Sequence, residues 1–406
     1  MNLFLDLISV EEAKRRGLSI LSAPSSEMIP LLSTYGRVLS DPAIVDIDIP
    51  GFNKTVVDGY AVLSSDTIGA SESMPAMLSH AGTILMGSKD THAIQKGSCM
   101  YTPTGARIPS GSDAVCMIEY AESLGDMVLI QSPVARGENV LTQGEDFTHD
   151  TVVLHPGTLI SEREMGVLAA SGCAEVSVFK RPVIGIISTG DEIVPVQEVP
   201  SGSSIRDVNS YVCAGAVSAW GGTPKMYGIV MDEKTTLRAI LQKATTECDL
   251  VLVSGGSSKG ERDVCAEVIA ELGEVLVHGI ALSPGKPTII GTIHKVPIVG
   301  LPGHPASAYI VLLALVRAMI YQLTGREAEK AEKNQNKTQA VLAVPIHSAR
   351  GREDYVRVIV DEEGLVRPVY GKSGLLNTLI SSTGYIRIPA EKEGYHAGEA
   401  VEVYPW

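Results

Sequence analysis

The spacing of apolar residues changes its period several times along the chain. Residues 5 to 39 follow a helical spacing, opened by a capping box in SVEEA with Ser9 as N-cap and Glu12 three residues on. From about 51 to 145 the apolar runs are short and broken by Gly, Ser, Pro and Asp, as in AMLSHAGTILMG, DAVCMIEY and MVLIQSPV, and this punctuation predicts a small all-β module. Beyond about 180, continuous apolar runs of strand length alternate with helical spacings. PVIGIIS (182–188) predicts a buried strand, and SYVCAGAVSAWGG a helix with Ser210 near its start and glycines at its stop. MYGIV predicts a second strand, followed by a helix with Leu237, Ile240, Leu241 and Ala244 on one face. DLVLVS leads, as a third strand, to a helix that groups Val264, Val268, Ile269 and Leu272. PTIIG, VPIVGL and a helix over 305–324 complete a series whose alternation predicts a parallel, doubly wound sheet. After a polar connector, GREAEKAEKNQNK (325–337), alternating runs such as YVRVIV and AVEVYPW predict a terminal β-barrel or sandwich over 339–406.

Composition narrows the class. A chain of 406 residues exceeds one ordinary core, and two to four domains follow from typical domain size. The net charge of −14 and a pI near 5.1 argue against non-specific nucleic-acid binding or a basic membrane patch. Cys99, Cys116, Cys173, Cys213, Cys248 and Cys265 are scattered without a CxxC pair and read as reduced core thiols of a cytoplasmic protein. The N-terminus carries an acid inside its apolar run and no small-residue cleavage site, so no secretory signal is expected. The run PASAYIVLLALV is too short to span a bilayer and is expected to be a buried helix.

Candidate chemistry gathers in three loops. Gly255 and Gly260 in SGGSSKGERD have the glycine spacing of a Walker loop, but Glu261 and Arg262 stand where Lys and then Ser or Thr are needed. Taken alone, that loop is either an anion-binding backbone or a tight turn. In a parallel sheet, however, every strand ends at one edge, where ligands bind. STGDE (188–192), SGGSSKGERD (254–263) and LPGHP (301–305) therefore face one crevice. Backbone amides and Lys286 in SPGKP suit phosphate or another oxyanion, whereas the neighbouring carboxylates would repel it unless a divalent cation lay between; Mg²⁺ with one or two carboxylates meets both demands. Nine scattered histidines show no zinc spacing, His304 reads as part of a rigid turn, and no GxSxG elbow is present.

STGDE, SGGSSKGERD, SPGKP and LPGHPASA, in this order, strongly resemble the molybdopterin molybdenumtransferase family, which includes MoeA proteins and the E domain of gephyrin. FNKTVVDGYAV (52–62), TPTGARIPSGSDAVCMIE (102–119), GENVLTQGEDF (137–147), GREDYVRV (351–358) and GKSGLLNTLISSTGY (371–385) extend the resemblance over nearly the whole chain. It implies a homodimer of four-domain subunits: an N-terminal helical and linker domain (1–48 and 146–180), a β-rich domain (49–145), a central doubly wound MogA-like α/β domain (181–326) and a C-terminal β-barrel (338–406). The implied reaction takes adenylylated molybdopterin and molybdate, inserts the metal and releases AMP with Mg²⁺ assistance. Its partners are a molybdopterin adenylyltransferase and acceptor molybdoenzymes, with no nucleic acid and no membrane. The active cleft is expected to combine the α/β domain with parts of the partner subunit.

By motif, the resemblance assigns catalytic roles to Asp58, Asp146, Glu192, Asp263 and Lys286, and Mg²⁺ to Asp232 and Asp263. It assigns binding roles to Thr104, Thr189, Gly190, Asp191, Ser254, Gly255, Gly256, Ser258, Pro302, Gly303, Pro305, Arg352 and Ser373. Molybdate would rest near Ser258, Lys286, Arg352 and Ser373. Two departures stand out: Ser283 and Gly279 occupy positions where the family often carries lysine, and FNKTVVDGY differs from the commoner FDNSAMDGY. Fewer positive charges leave molybdate or tungstate as the oxyanion, and a cofactor-binding carrier or scaffold without turnover as the alternative function.

Overall fold

The computed structural model describes residues 7–88, 93–255, 264–328 and 336–406. Among the described residues of the 5–39 stretch, the α-helix is confined to Val10–Ser19, with a single 3-10 turn at Leu31–Ser33; Ser9 caps the helix by accepting the Glu12 N–H at 3.1 Å, while the Glu12 carboxylate turns to Arg15 and Arg16. The predicted helix fails beyond residue 19 because Pro24 and Pro30 bracket a segment they cannot let coil. Ser26–Pro30 instead forms a strand antiparallel to Glu175–Phe179. The Val10–Ser19 helix docks on the α/β layer, where Arg16 Nη1 donates to Leu276 O and Gln322 Nε2 to Leu18 O. The β-rich module is a six-stranded sheet built between Gly59–Val62 and Met127–Ile130, with Val62, Leu78, Val128 and Ile130 in its core.

The central layer runs β1 (Val183–Thr189), α1 (Asn209–Ala219), β2 (Thr223–Val230), α2 (Lys234–Glu247), β3 (Leu250–Ser254), α3 (Val264–Leu272), β4 (Gly273–His278), β5 (Ile289–Ile293), β6 (Val296–Leu301) and the helical run α4 (Pro305–Leu323). The strands lie in the order β2-β1-β3-β6-β5-β4. Ile184, Ile186, Leu250 and Leu252 pack on one face with α1 and α4, whereas Ile187, Val251 and Val253 pack on the other with α2 and α3. Both faces are therefore covered, which is why these strands read as unbroken apolar runs.

Two expectations need correcting. The sheet is mixed: β1, β2, β3 and β6 are parallel, but β5 runs antiparallel to both β6 and β4. The cause is a two-residue hairpin at His294 and Lys295, both at positive φ, which returns the chain without a crossover helix. The helix predicted over 305–324 forms over Pro305–Leu323, but its 19 residues are long and apolar enough to span a bilayer; 78% of its most apolar window is buried, so burial rather than shortness makes it a core helix.

The C-terminal strands β7 (Thr338–Leu342), β8 (Glu353–Val360), β9 (Leu365–Pro368), β10 (Gly384–Ile388) and β11 (Ala400–Pro405) close into a five-stranded barrel through the β8–β10 pairing. The barrel is stitched to the α/β layer. Leu282–Ser283 adds in parallel to the start of β8, and Tyr385 stacks between Tyr355 and Tyr404 at 5.3 Å from each. Tyr309 of α4 meets Trp406 at 5.4 Å.

Candidate active site

β1 pairs with β2 on one side and β3 on the other, and the helices that follow β1 and β3 leave on opposite faces. This is a topological switch point, and a crevice opens outside the paired ends of the two strands, where the following helices diverge. Ser188, Thr189, Ser254 and Gly255 form its floor. Gly255 is held at φ 105°, where a Cβ would stand 2.0 Å from the Thr189 carbonyl oxygen. The bare backbone at this point is thus demanded first by the close approach of two strand ends.

The crevice opens into a cleft of about 860 Å³. Its far wall is the loop after β6, with Pro302, Gly303 and Pro305, and the barrel adds Arg352 and Ser373. Ala306 N donates to Ser373 O at 3.0 Å, and His304 Nδ1 lies 2.8 Å from Ser373 Oγ, so the two domains are hydrogen-bonded at the cleft wall. The buried Arg357 guanidinium supports the same barrel loop by donating to Gly371 O at 2.9 Å. Asn209, at the start of α1, donates through Nδ2 to Ser254 Oγ at 2.7 Å and to Gly303 O at 2.8 Å. A carbonyl can only accept, so this orientation of the amide is chemically required, and among the described residues Oδ1 meets no donor.

Charge is unevenly arranged. Glu192 and Asp232 line the cleft, and the Asp232 N–H donates to Asp191 Oδ1 at 3.1 Å. Burial first, opposed by the Thr189 hydroxyl and reinforced by the charges of Asp191 and Glu192, raises the Asp232 carboxyl above its ordinary value. Lys286 and Arg352 supply positive charge, although Arg352 Nε also faces Asp354 Oδ1 at 3.4 Å. The cleft thus offers carboxylates and cations to one ligand.

Residues 8–172, 185–322 and 339–406 match, respectively, the MoeA N-terminal region (domain I and II), a probable molybdopterin binding domain and the MoeA C-terminal region (domain IV). The chain is 30% identical to molybdopterin molybdenumtransferase 2 of Mycobacterium tuberculosis, over 98% of this chain and 99% of that one. The chain belongs to the MoeA family of molybdopterin molybdenumtransferases. Its similarity to the molybdopterin molybdenumtransferase of Bacillus subtilis is also 30% identity, over 98% of this chain and 93% of the relative. Two crystal structures of molybdopterin biosynthesis MoeA proteins from Pyrococcus horikoshii superpose with TM-scores of 0.84 and 0.87, at 34% and 30% identity, covering 98% and 99% of this chain and 99% and 100% of theirs.

Of the residues assigned by the MoeA motifs, Thr189, Glu192, Asp232, Ser254, Gly255, Lys286, Pro302, Gly303, Pro305, Arg352 and Ser373 line this one cleft. Gly190 and Asp191 sit in the turn at its edge, Gly190 donating to Val230 O. Gly256, Ser258 and Asp263 lie outside the described residues. Asp58, Thr104 and Asp146 are not brought to it within the chain. Asp58 instead accepts the Thr104 N–H and hydroxyl at 2.7 and 3.0 Å, which hold its carboxyl below its ordinary value, and Asp146 N donates to Ile49 O. Ser283 lines the cleft with a neutral hydroxyl. The motif reading missed Asn209 and Asp207, and it took His304 for a turn residue. The signal for the first two was present in RDVNS, where Asp207 Oδ1 caps the Ser210 N–H at the mouth of α1.

Proposed function

We propose that the cleft of this enzyme of molybdenum cofactor biosynthesis binds adenylylated molybdopterin with the pyrophosphate across the β1 and β3 ends, accepts molybdate near Lys286, Arg352 and Ser373, and releases AMP as the metal is inserted. The observation that carries this reading is the meeting of two sheet ends, a carboxylate cluster and a cationic wall in one cleft. A phosphoanhydride fits the carboxylate side only with a divalent cation. Among the described residues no group of three or more metal-type ligands occurs, but Mg²⁺ is commonly held by one or two carboxylates, with phosphate oxygens and water completing its shell. The crowding that raises Asp232 is the kind a cation relieves, so the donor set fits; Asp232 would hold the ion together with Asp263. When bound, Mg²⁺ polarises the phosphoanhydride toward cleavage.

The chain's own groups do the rest. Lys286 and Arg352 bind the oxyanion by charge and hydrogen bonds, and Asn209 keeps the Ser254 and Gly303 loops at a fixed separation around the pyrophosphate. Asp58, Thr104 and Asp146 lie away from the cleft of their own chain and act in the cleft of the other protomer of a homodimer. The enzyme works in the cytoplasm, between a molybdopterin adenylyltransferase and acceptor molybdoenzymes. The neutral Ser283 favours a second reading, a carrier or scaffold that binds cofactor without turnover, or else an insertase specific for tungstate. The deciding experiment measures AMP released from adenylylated molybdopterin by purified protein with Mg²⁺ and molybdate or tungstate present or omitted. Release dependent on Mg²⁺ and on an oxyanion is expected; tight binding without release would replace the transferase reading with the carrier.

A further inference from the structure

His304 reaches the cleft from the loop after β6, and its imidazole bonds the hydroxyl of the barrel residue Ser373 at 2.8 Å. That bond is not what holds the barrel loop in place. The Ser373 backbone carbonyl already accepts the Ala306 N–H, and Arg357 anchors Gly371 beneath. What the imidazole governs is the direction of the Ser373 hydroxyl.

A serine hydroxyl has one proton and two lone pairs. If Nδ1 of a neutral imidazole is unprotonated, it accepts that proton, and Ser373 then offers the cleft only lone pairs, which repel an oxyanion. If Nδ1 carries a hydrogen it donates to Oγ, and the hydroxyl proton turns toward the cleft. Imidazolium allows only the second arrangement, and it adds a positive charge. Among the described residues the fixed cations on this wall are few: Ser283 is neutral, and Arg352 shares its charge with Asp354. Among the described residues, the charged groups lining the cleft around the imidazole are Lys286 from the turn after Leu282–Ser283, Arg352 before β8, Arg206 and Asp207 before α1, and Glu192 and Asp232 at the β1 and β2 ends.

We propose that His304 is a positioning residue that sets the Ser373 hydroxyl as a donor to a tetrahedral oxyanion. The proposal rests on the reading of Ser373, Arg352 and Lys286 as the oxyanion end of the cleft.

The test titrates molybdate, and separately tungstate, in the AMP-release reaction, with tungstate binding by calorimetry as a second readout. His304→Ala should raise the oxyanion KM and Kd roughly 3–10-fold, while KM for the adenylylated pterin stays near that of the wild type. His304→Gln, a neutral side chain able to donate, should recover part of the affinity. A loss confined to kcat, or a His304→Gln variant that binds the oxyanion no better than His304→Ala, overturns the proposal. If Ser373→Ala and Arg352→Ala weaken oxyanion binding while His304 variants do not, this inference alone fails; if the wild type binds no oxyanion, it falls together with the reading beneath it.

Discussion

At the scale of single residues, the cleft depends on groups whose environments are unlike those of ordinary surface positions. Asp232 is the clearest. Its carboxyl is raised by burial and by Asp191 and Glu192, so its ionised form opposes folding at neutral pH, and the proton-bound form removes that cost. Asp232→Asn should therefore raise Tm at about pH 7, with the gain fading at about pH 3 where the wild-type carboxyl is protonated in both states. Mg²⁺ should raise the Tm of the wild type and leave that of the variant nearly unchanged. Thermal melts at the two pH values, with and without Mg²⁺, check both statements; a variant less stable than wild type at neutral pH contradicts them. Gly255 is constrained sterically, and Gly255→Ala should cost about 2–3 kcal/mol in urea denaturation, because the added carbon meets Thr189 O and the φ is strained for alanine. Asn209→Asp keeps the shape of the side chain but replaces a donor to Gly303 O with a carboxylate oxygen, so AMP release should fall about 100-fold or more.

At the scale of elements, the barrel is fixed to the α/β layer by the Leu282–Ser283 strand and by aromatic packing around Tyr385, which is 2% exposed. Tyr385→Ala should destabilise the protein by about 3–5 kcal/mol, whereas Tyr385→Phe, which conserves volume, should cost less than about 1.5 kcal/mol; chemical denaturation separates the two. The order of strands and helices in the central layer was legible because Leu250 to Val253 and their neighbours are buried on both faces. The direction of β5 was not, since it turns on two non-glycine residues at positive φ, His294 and Lys295, which carry no common hairpin signature. In the same way Thr189, Glu192, Ser254 and Lys286 could be grouped from strand ends alone. Asn209 could not, because its role arises from contacts 45 and 94 residues away in sequence.

At the scale of the molecule, the cleft joins the α/β layer to the barrel, while Asp58, Thr104 and Asp146 belong to parts of the chain that do not line it. A homodimer in which each cleft borrows these residues from the other protomer accounts for both facts. The most direct measurement is single-turnover AMP release from adenylylated molybdopterin, with Mg²⁺ and molybdate, by wild type, by Asp58→Asn, by Asp232→Asn, and by a dimer refolded from the two variants. The account predicts that the wild type releases AMP, that each variant alone is nearly inactive, and that the mixed dimer recovers activity, because one of its clefts then carries neither substitution. No release by the wild type, or a mixed dimer no more active than its parents, would contradict it.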